Sequence, residues 1–247
     1  MDNIFLNHLK DLSKKSEMNY RYTFTQFLSL DEQSMLKSIE RELYSFTLFG
    51  GLNNCERVMA RFGSPDDFGY EEDFPITCLK AEPVLKKFAD DLTHRDFLGA
   101  LMNLGIERNN IGDIIVKDSS AFIFVTDKMA DYIKENLTKV KHTVIKISVS
   151  EKVPESALFN TESISLPVAS LRLDCMISAL YNFSRNQTSE IFSAKKIFVN
   201  GRLCENVSFI PKVGDAVSVR GFGRFIFSSV GGTSKKGRTY VNLEKFI

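Results

Sequence analysis

No stretch of this 247-residue chain approaches the ~18 consecutive apolar residues that a membrane span requires; a typical apolar run, Ala121–Val125, has only strand length. The N-terminal MDNIFLNHLKDLSKK interleaves apolar with charged and polar residues. It lacks the long apolar core and small-residue cleavage site of a secretory signal, so a cytoplasmic protein with no membrane partner is expected. Cysteine is sparse: Cys55, Cys78, Cys175 and Cys204 form no CxxC, and His8, His94 and His142 are scattered. That pattern argues against a zinc site or a disulfide framework and for buried thiols. A P-loop is absent, and no cofactor is expected. An excess of charge of one sign is missing too, with 32 Lys and Arg against 31 Asp and Glu. Taken as one number, this balance speaks against a strongly basic nucleic-acid binder.

The balance is a cancellation. Residues 165–247 hold 12 Lys and Arg against 5 Asp and Glu, a net +7, and residues 1–164 hold 20 against 26, a net −6. Such asymmetry points to separate partners for separate parts of the chain. The length suggests two or three domains, and the content, 43% hydrophobic and 26% charged, is that of an ordinary globular protein. The order of signals favours an α+β chain of three domains: a mainly helical one over 1–74, a ferredoxin-like one over 75–150, a polar linker over 151–167 carrying Pro154 and Pro167, and a basic domain over 168–247.

In the first segment Leu36, Ile39 and Leu43 lie at helical spacing, with Asp31 and Glu32 early in the turn. Gly50-Gly51 breaks the pattern, and a short helix capped by Asn53 is expected through Cys55, Val58 and Phe62. The acidic loop around Asp66, Asp67, Glu71, Glu72 and Asp73 reads as a solvated face. In the second segment the spacing predicts a strand at Ile76–Lys80 and a helix from Thr93 or His94 to Gly105. A hairpin follows, Ile111–Val116 and Ala121–Val125 about Lys117–Ser120, then a helix capped by Asp127 and a strand at Thr143–Val149. This βαββαβ order is the unit that RNA-recognition domains use. Phe122 and Phe124 share one face of their strand, placed either to stack bases or to pack against the first segment. The strand lacks the leading basic residue and the Gly of an RNA-recognition motif, and the local charge is acidic, so packing is favoured.

From Val168 onward the signals concentrate. Leu173, Met176, Ile177 and Leu180 make the apolar face of a helix that stops at Asn182-Phe183. Ser184 and Gln187 fit a capping box for a second helix, which ends at Lys195-Lys196. Ile197–Val199, an Asn200-Gly201 type I′ turn and Arg202-Leu203 form a hairpin; strands are expected at Val217–Arg220, at Arg224–Phe227 and after the basic loop Lys235-Lys236-Gly237-Arg238. Two short helices on a small sheet with cations on one side make an RNA platform, because Arg and Lys neutralise phosphates and release counterions.

The succession Leu171-Arg172-Leu173-Asp174, Ser184-Arg185-Asn186-Gln187, Val199-Asn200-Gly201, Gly214-Asp215 and Arg220-Gly221 resembles the S4 domain, an RNA-binding fold. Gly50-Gly51, Cys55-Glu56-Arg57, His94 through Leu101, Leu104-Gly105-Ile106, Arg108 and Ile111-Gly112-Asp113-Ile114 resemble the YlmH family of Gram-positive bacteria over nearly the whole chain, with Cys55 standing where that family more often has Ala. The resemblance implies an N-terminal domain, an RNA-recognition-like middle domain and a C-terminal S4 domain. It also implies binding to large ribosomal subunits that carry obstructed peptidyl-tRNA, in ribosome-associated quality control, with a looser link to cell division. The implied partners are ribosomal RNA of the large subunit, tRNA or peptidyl-tRNA, and quality-control or division proteins.

On that resemblance Arg185 is the foremost RNA contact, followed by Arg172, Lys195, Lys196 and Arg202. Ser184 and Gln187 either cap the helix or touch RNA, Asn200 is first a turn residue, and Asp174 is placed to pair with a nearby cation. Arg220, Arg224, Lys235, Lys236 and Arg238 extend the patch or serve as surface charge. Enzyme readings fare worse. Neighbouring helical side chains diverge by ~100°, so His94, Arg95 and Asp96 do not converge unaided. Arg172-Leu173-Asp174 echoes the catalytic aspartate motif of pseudouridine synthases, but no separate catalytic domain follows it. Gly221-Phe222-Gly223 lacks the third Gly and the helix start of a methyltransferase cofactor loop. The main rival is a division-associated scaffold that touches RNA only incidentally.

Overall fold

The structure, a computed structural model, describes residues 2–151, 153–154, 161–234 and 237–246. The chain folds as two compact units, Met1–Leu158 and Phe159–Ile247. The segments that read as separate domains, 1–74 and 75–150, are thus joined in one unit.

The first part of that unit contains α1 (Asp2–Asn19), β1 (Thr23–Phe24), α2 (Leu30–Ser38), β2 (Phe46–Phe49), β3 (Met59–Phe62) and α3 (Pro65–Phe68). Ser29 and Glu32 close a capping box at the start of α2. The expected helix through Cys55, Val58 and Phe62 is instead strand β3, the middle of a three-stranded antiparallel sheet in the order β1-β3-β2. All four of its residues are buried, and a short run hidden on both faces carries no periodicity that separates strand from helix. The acidic loop is partly tied down: Glu71 pairs with buried Arg61 at 2.9 Å, and that guanidinium lies between the Tyr22 and Phe74 rings.

The second part follows the expected order closely: β4 (Ile76–Pro83), α4 (His94–Asn103), β5 (Ile111–Lys117), β6 (Ser120–Thr126), α5 (Asp127–Asn136), a short β7 (Lys139–Val140) and β8 (Thr143–Val149). The five strands run antiparallel in the order β5-β6-β4-β8-β7, with α4 and α5 packed on one face around Phe97, Leu101, Ile123, Ile133 and Ile147. The N-cap of α5 is Thr126, one residue before the expected Asp127.

A small set of residues locks the two parts together. The Asp113 carboxylate accepts the backbone N–H groups of Glu56 at 2.7 Å and Arg57 at 3.0 Å. Arg57 in turn donates to the carbonyls of Ile111 at 3.0 Å and Phe27 at 2.9 Å. Burial, and then the neighbouring Arg57 charge, push Arg108 down to about 10. Gly51 and Gly112 let rings approach the backbone: a Cβ on Gly51 would lie 2.3 Å from Phe124, and one on Gly112 would lie 2.6 Å from Phe27. The motif residues around 50–57 and 108–114 therefore build this joint.

The second unit is one antiparallel sheet covered by two helices: β9 (Thr161–Val168), α6 (Leu173–Tyr181), α7 (Arg185–Ser193), β10 (Ile197–Val199), β11 (Arg202–Leu203), β12 (Ala216–Val219), β13 (Gly223–Thr233) and β14 (Thr239–Phe246), ordered β11-β10-β12-β13-β14-β9. The core gathers Leu173, Met176 and Ile177 from α6 with Ile197, Val217, Phe225 and Leu243 from the sheet. The C-terminal half of the expected linker is strand β9, paired with β14 from Thr161↔Phe246 to Val168↔Thr239. It is an edge strand, where Pro167 costs no ladder hydrogen bond and where Thr, Glu and Ser face solvent, so its composition reads as linker. Asn200 and Gly201 have φ of 49° and 71°, as a type I′ turn requires.

Candidate nucleic-acid interface

The basic face of the second unit is set by how its two helices begin. Arg172 is the N-cap of α6, and the Leu173 N–H donates to the Phe209 carbonyl at 2.7 Å, which fixes the helix entry. The Arg172 guanidinium forks onto Asp174, Nε to Oδ1 at 3.1 Å and Nη2 to Oδ2 at 2.7 Å. That bond to Asp174 raises the pKa of Arg172 above its usual value. Asp174 thus pairs with a cation, as its position suggested, and also accepts the Cys175 N–H at 2.9 Å.

Helix α6 ends on left-handed Asn182, and the Ser178 hydroxyl donates to the Phe183 carbonyl at 2.7 Å. The capping box follows as expected. Ser184 Oγ accepts the Gln187 N–H at 3.3 Å, and Gln187 Oε1 accepts the Ser184 N–H at 2.9 Å. These two side chains are therefore committed to starting α7. They place Arg185 at the first helical position, exposed and without an ion pair among the described residues.

Arg185 shares a cleft of about 650 Å³ with Arg172, Asp174, Thr188, Ser189 and Arg238. Three arginines from separate stretches of chain line it, together with the hydroxyl-bearing Thr188 and Ser189. The helix-start arginines were legible as candidates in the sequence; the arrival of exposed Arg238 beside them depends on the pairing of β14 with β9. Lys235 and Lys236 lie outside the described residues.

The remaining candidates sit elsewhere on this unit. Lys195 is exposed and 3.4 Å from Glu205. Exposed Lys196 accepts the Arg220 N–H on its carbonyl at 2.9 Å, so these two cations are neighbours, and Arg220 lies 5.2 Å over the Phe198 ring. Arg202 is exposed on β11. Asn200 is a turn clamp: its amide donates to Asp215 at 2.8 Å and its carbonyl oxygen accepts the Ala216 N–H at 2.9 Å. Arg224 departs from expectation. It is 8% exposed, with its guanidinium 4.2 Å from the Phe246 ring centre, so it packs inside the sheet layer rather than facing solvent. Sequence reasoning missed Phe222, 45% exposed in the β12–β13 turn and 4.8 Å edge-on from Phe183. An aromatic between two glycines was its signal.

In the first unit Phe122 and Phe124 are 4% and 2% exposed, and Phe124 abuts Gly51. Packing, not stacking, uses these rings. His94, Arg95 and Asp96 do not converge. Asp96 pairs with Lys141 at 2.8 Å and turns back to accept from the Thr93 hydroxyl at 2.6 Å and the Thr93 N–H at 2.8 Å, and these bonds, that to Lys141 foremost, hold its carboxyl down to about 2. Among the described residues no cluster of His, Cys, Asp or Glu has the makings of a metal site, and no helix is long and apolar enough to cross a membrane.

Comparison with known proteins supplies context for this geometry. Residues 70–153 match the family model described as "Putative RNA-binding domain in YlmH". The chain is 27% identical over 247 residues to "Ribosome-associated protein quality control protein P2" of Bacillus subtilis (strain 168), an alignment covering 98% of this chain and 94% of that protein. A solved structure, "Cell division protein ylmH from Streptococcus pneumoniae", aligns with a TM-score of 0.49 and 23% identity, over 62% of this chain and 94% of that one. The resemblance to the YlmH family stands.

Proposed function

We propose that this relative of the YlmH proteins is a non-enzymatic RNA-binding protein that associates with the large ribosomal subunit in ribosome-associated quality control. Its C-terminal unit serves as an S4-type domain over 168–247 that grips ribosomal RNA and peptidyl-tRNA. The observation that carries the reading is the cleft lined by Arg172, Arg185 and Arg238, with Arg185 exposed and unpaired among the described residues. A guanidinium forks onto two phosphate oxygens, and each phosphate neutralised releases counterions, so several arginines on one face give salt-dependent affinity for structured RNA. The near full-length similarity to a ribosome-associated quality-control protein supports the setting.

Lys195, Lys196, Arg202 and Arg220 extend the contact as exposed cations. Ser184, Gln187 and Asn200 shape it from within their caps and turns. The non-enzymatic reading is supported by how the tempting polar groups are used. Asp174 is tied to Arg172, and Asp96 to Thr93 and Lys141. The test is co-sedimentation with purified large subunits. Arg185→Ala should bind less tightly than wild type, with the affinity gap widest at low salt and narrowing as salt rises; equal pelleting at both salts refutes the assignment.

The net −6 over residues 1–164 favours a second role for the first unit, in meeting a protein partner. A pull-down from ribonuclease-treated lysate separates the readings: division proteins retained without ribosomes would make the scaffold role primary.

A further inference from the structure

The middle sheet turns one face to α4 and α5, and the central rings of its other face, Phe122 and Phe124, are buried. An RNA contact made by residues 70–153 must then use other groups. The sequence just past β4 supplies them. Residues 84–88, Val-Leu-Lys-Lys-Phe, are all exposed, with Val84 at 58%, Leu85 at 65% and Phe88 at 77%. Three of the five side chains of this tip are apolar and left uncovered by the fold.

The tip has a defined shape. The Val84 N–H donates to the Val144 carbonyl at 3.0 Å, and the Phe88 N–H closes a turn onto the Leu85 carbonyl at 3.1 Å. At its base the Asp90 carboxylate is occupied by the His142 N–H at 3.0 Å and the Thr143 hydroxyl at 2.9 Å. Lys86 and Lys87 have no carboxylate partner among the described residues, and Lys87 Nζ lies 5.9 Å from the Phe88 ring centre. Glu82, further back on β4, is taken by Lys80 at 2.9 Å.

We infer that the Lys86–Phe88 tip is a second RNA contact, for an unpaired strand: a base stacks on Phe88 while Lys86 and Lys87 take the flanking phosphates. An exposed ring beside two free cations matches what a single strand presents, open base faces along a charged backbone. This inference rests on the reading of the chain as an RNA binder.

The test uses the full chain and a fluorescent oligouridylate of about ten nucleotides, within the usual site size of a single-strand binder. Affinity is measured by anisotropy across a salt series, in the wild-type and Arg185→Ala backgrounds. Phe88→Ala should weaken binding about 5- to 150-fold in both, the worth of one stacked base, while Phe88→Tyr retains it. Replacing Lys86 and Lys87 by Ala should flatten the salt slope by ~0.7 for each phosphate no longer neutralised. Thermal unfolding of each variant checks that the fold is kept. If Arg185→Ala weakens binding and Phe88→Ala does not, the tip contact is refuted and the RNA-binding reading survives. If wild type binds neither oligouridylate nor ribosomal RNA, both fall. If Phe88→Ala abolishes pelleting with phosphatidylserine vesicles and leaves RNA affinity unchanged, the tip is a membrane contact and the inference is overturned.

Discussion

Replacing Gly112 with Ala should destabilise the first unit through a single misplaced methyl group. Its Cβ would fall 2.6 Å from Phe27 Cε1, 2.8 Å from Phe27 Cζ and 3.1 Å from Phe124 Cβ. Carbon atoms in contact prefer about 3.5–4.0 Å, so the overlap approaches 1 Å. The rings have nowhere to go, because Phe27 is 1% and Phe124 2% exposed. Overpacking of this kind costs about 1–3 kcal/mol. At roughly 2–4 °C per kcal/mol for a unit of this size, the first unit's melting transition should drop by about 2–12 °C. Gly99 is the control: it lies within α4 with nothing near its Cβ position, and Gly99→Ala should stabilise by about 0.5–1 kcal/mol. Urea and thermal unfolding followed by circular dichroism read both variants. Phe27→Leu should relieve the Gly112→Ala penalty, a coupling visible in a double-mutant cycle. If Gly112→Ala unfolds within error of wild type, the account of the joint as a close-packed seam is refuted.

Three more outcomes follow from particular contacts. Arg224→Gln should lower stability by about 0.5–2 kcal/mol because it removes the cation over Phe246, and it should leave RNA affinity unchanged, which unfolding and anisotropy check together. The Tyr181 hydroxyl is buried without a hydrogen-bond partner among the described residues, and burial raises it to about 12; Tyr181→Phe should therefore unfold at the same or higher urea than wild type. Asp96 has a folded pKa of about 2 against an unfolded value of about 3.9, so its stabilising contribution is present above pH ~4 and lost as pH falls towards 2. The gap in urea midpoint between wild type and Asp96→Asn should accordingly close over that range.

What the sequence made legible follows from where period and turn chemistry are unambiguous. Ile145–Ser148 alternates apolar with polar residues, and Thr143–Val149 is a strand with the expected bounds. The Ser184–Gln187 box closes its hydrogen bonds within three residues, and the Asn200-Gly201 turn joins directly paired Val199 and Arg202, so both are short-range signals. Strand β3 was hidden because burial on both faces erases alternation, and β9 because an edge strand tolerates Pro167 and exposed polar residues. At the candidate site, Arg172 and Arg185 were named through the resemblance of their motifs to the S4 domain, and the structure sets both at helix starts. Arg224 was misplaced because a basic residue says nothing of which face of a strand is covered; it pairs with buried Ser218 on the face opposite the core residues Val217 and Phe225, and there the Phe246 ring covers its guanidinium. Arg238 and Phe222 gain their positions from sheet pairing and turn packing over long separations, which no local pattern records.

The central claim is that the arginine face of the second unit holds RNA through phosphates. Its most direct test is the salt dependence of affinity for large-subunit ribosomal RNA, compared between wild type and Arg185→Ala. Affinity should fall at every salt concentration, and the slope of log K against log salt should become shallower by about 1, the mark of one phosphate left without its cation. An affinity and slope indistinguishable from wild type would contradict the account.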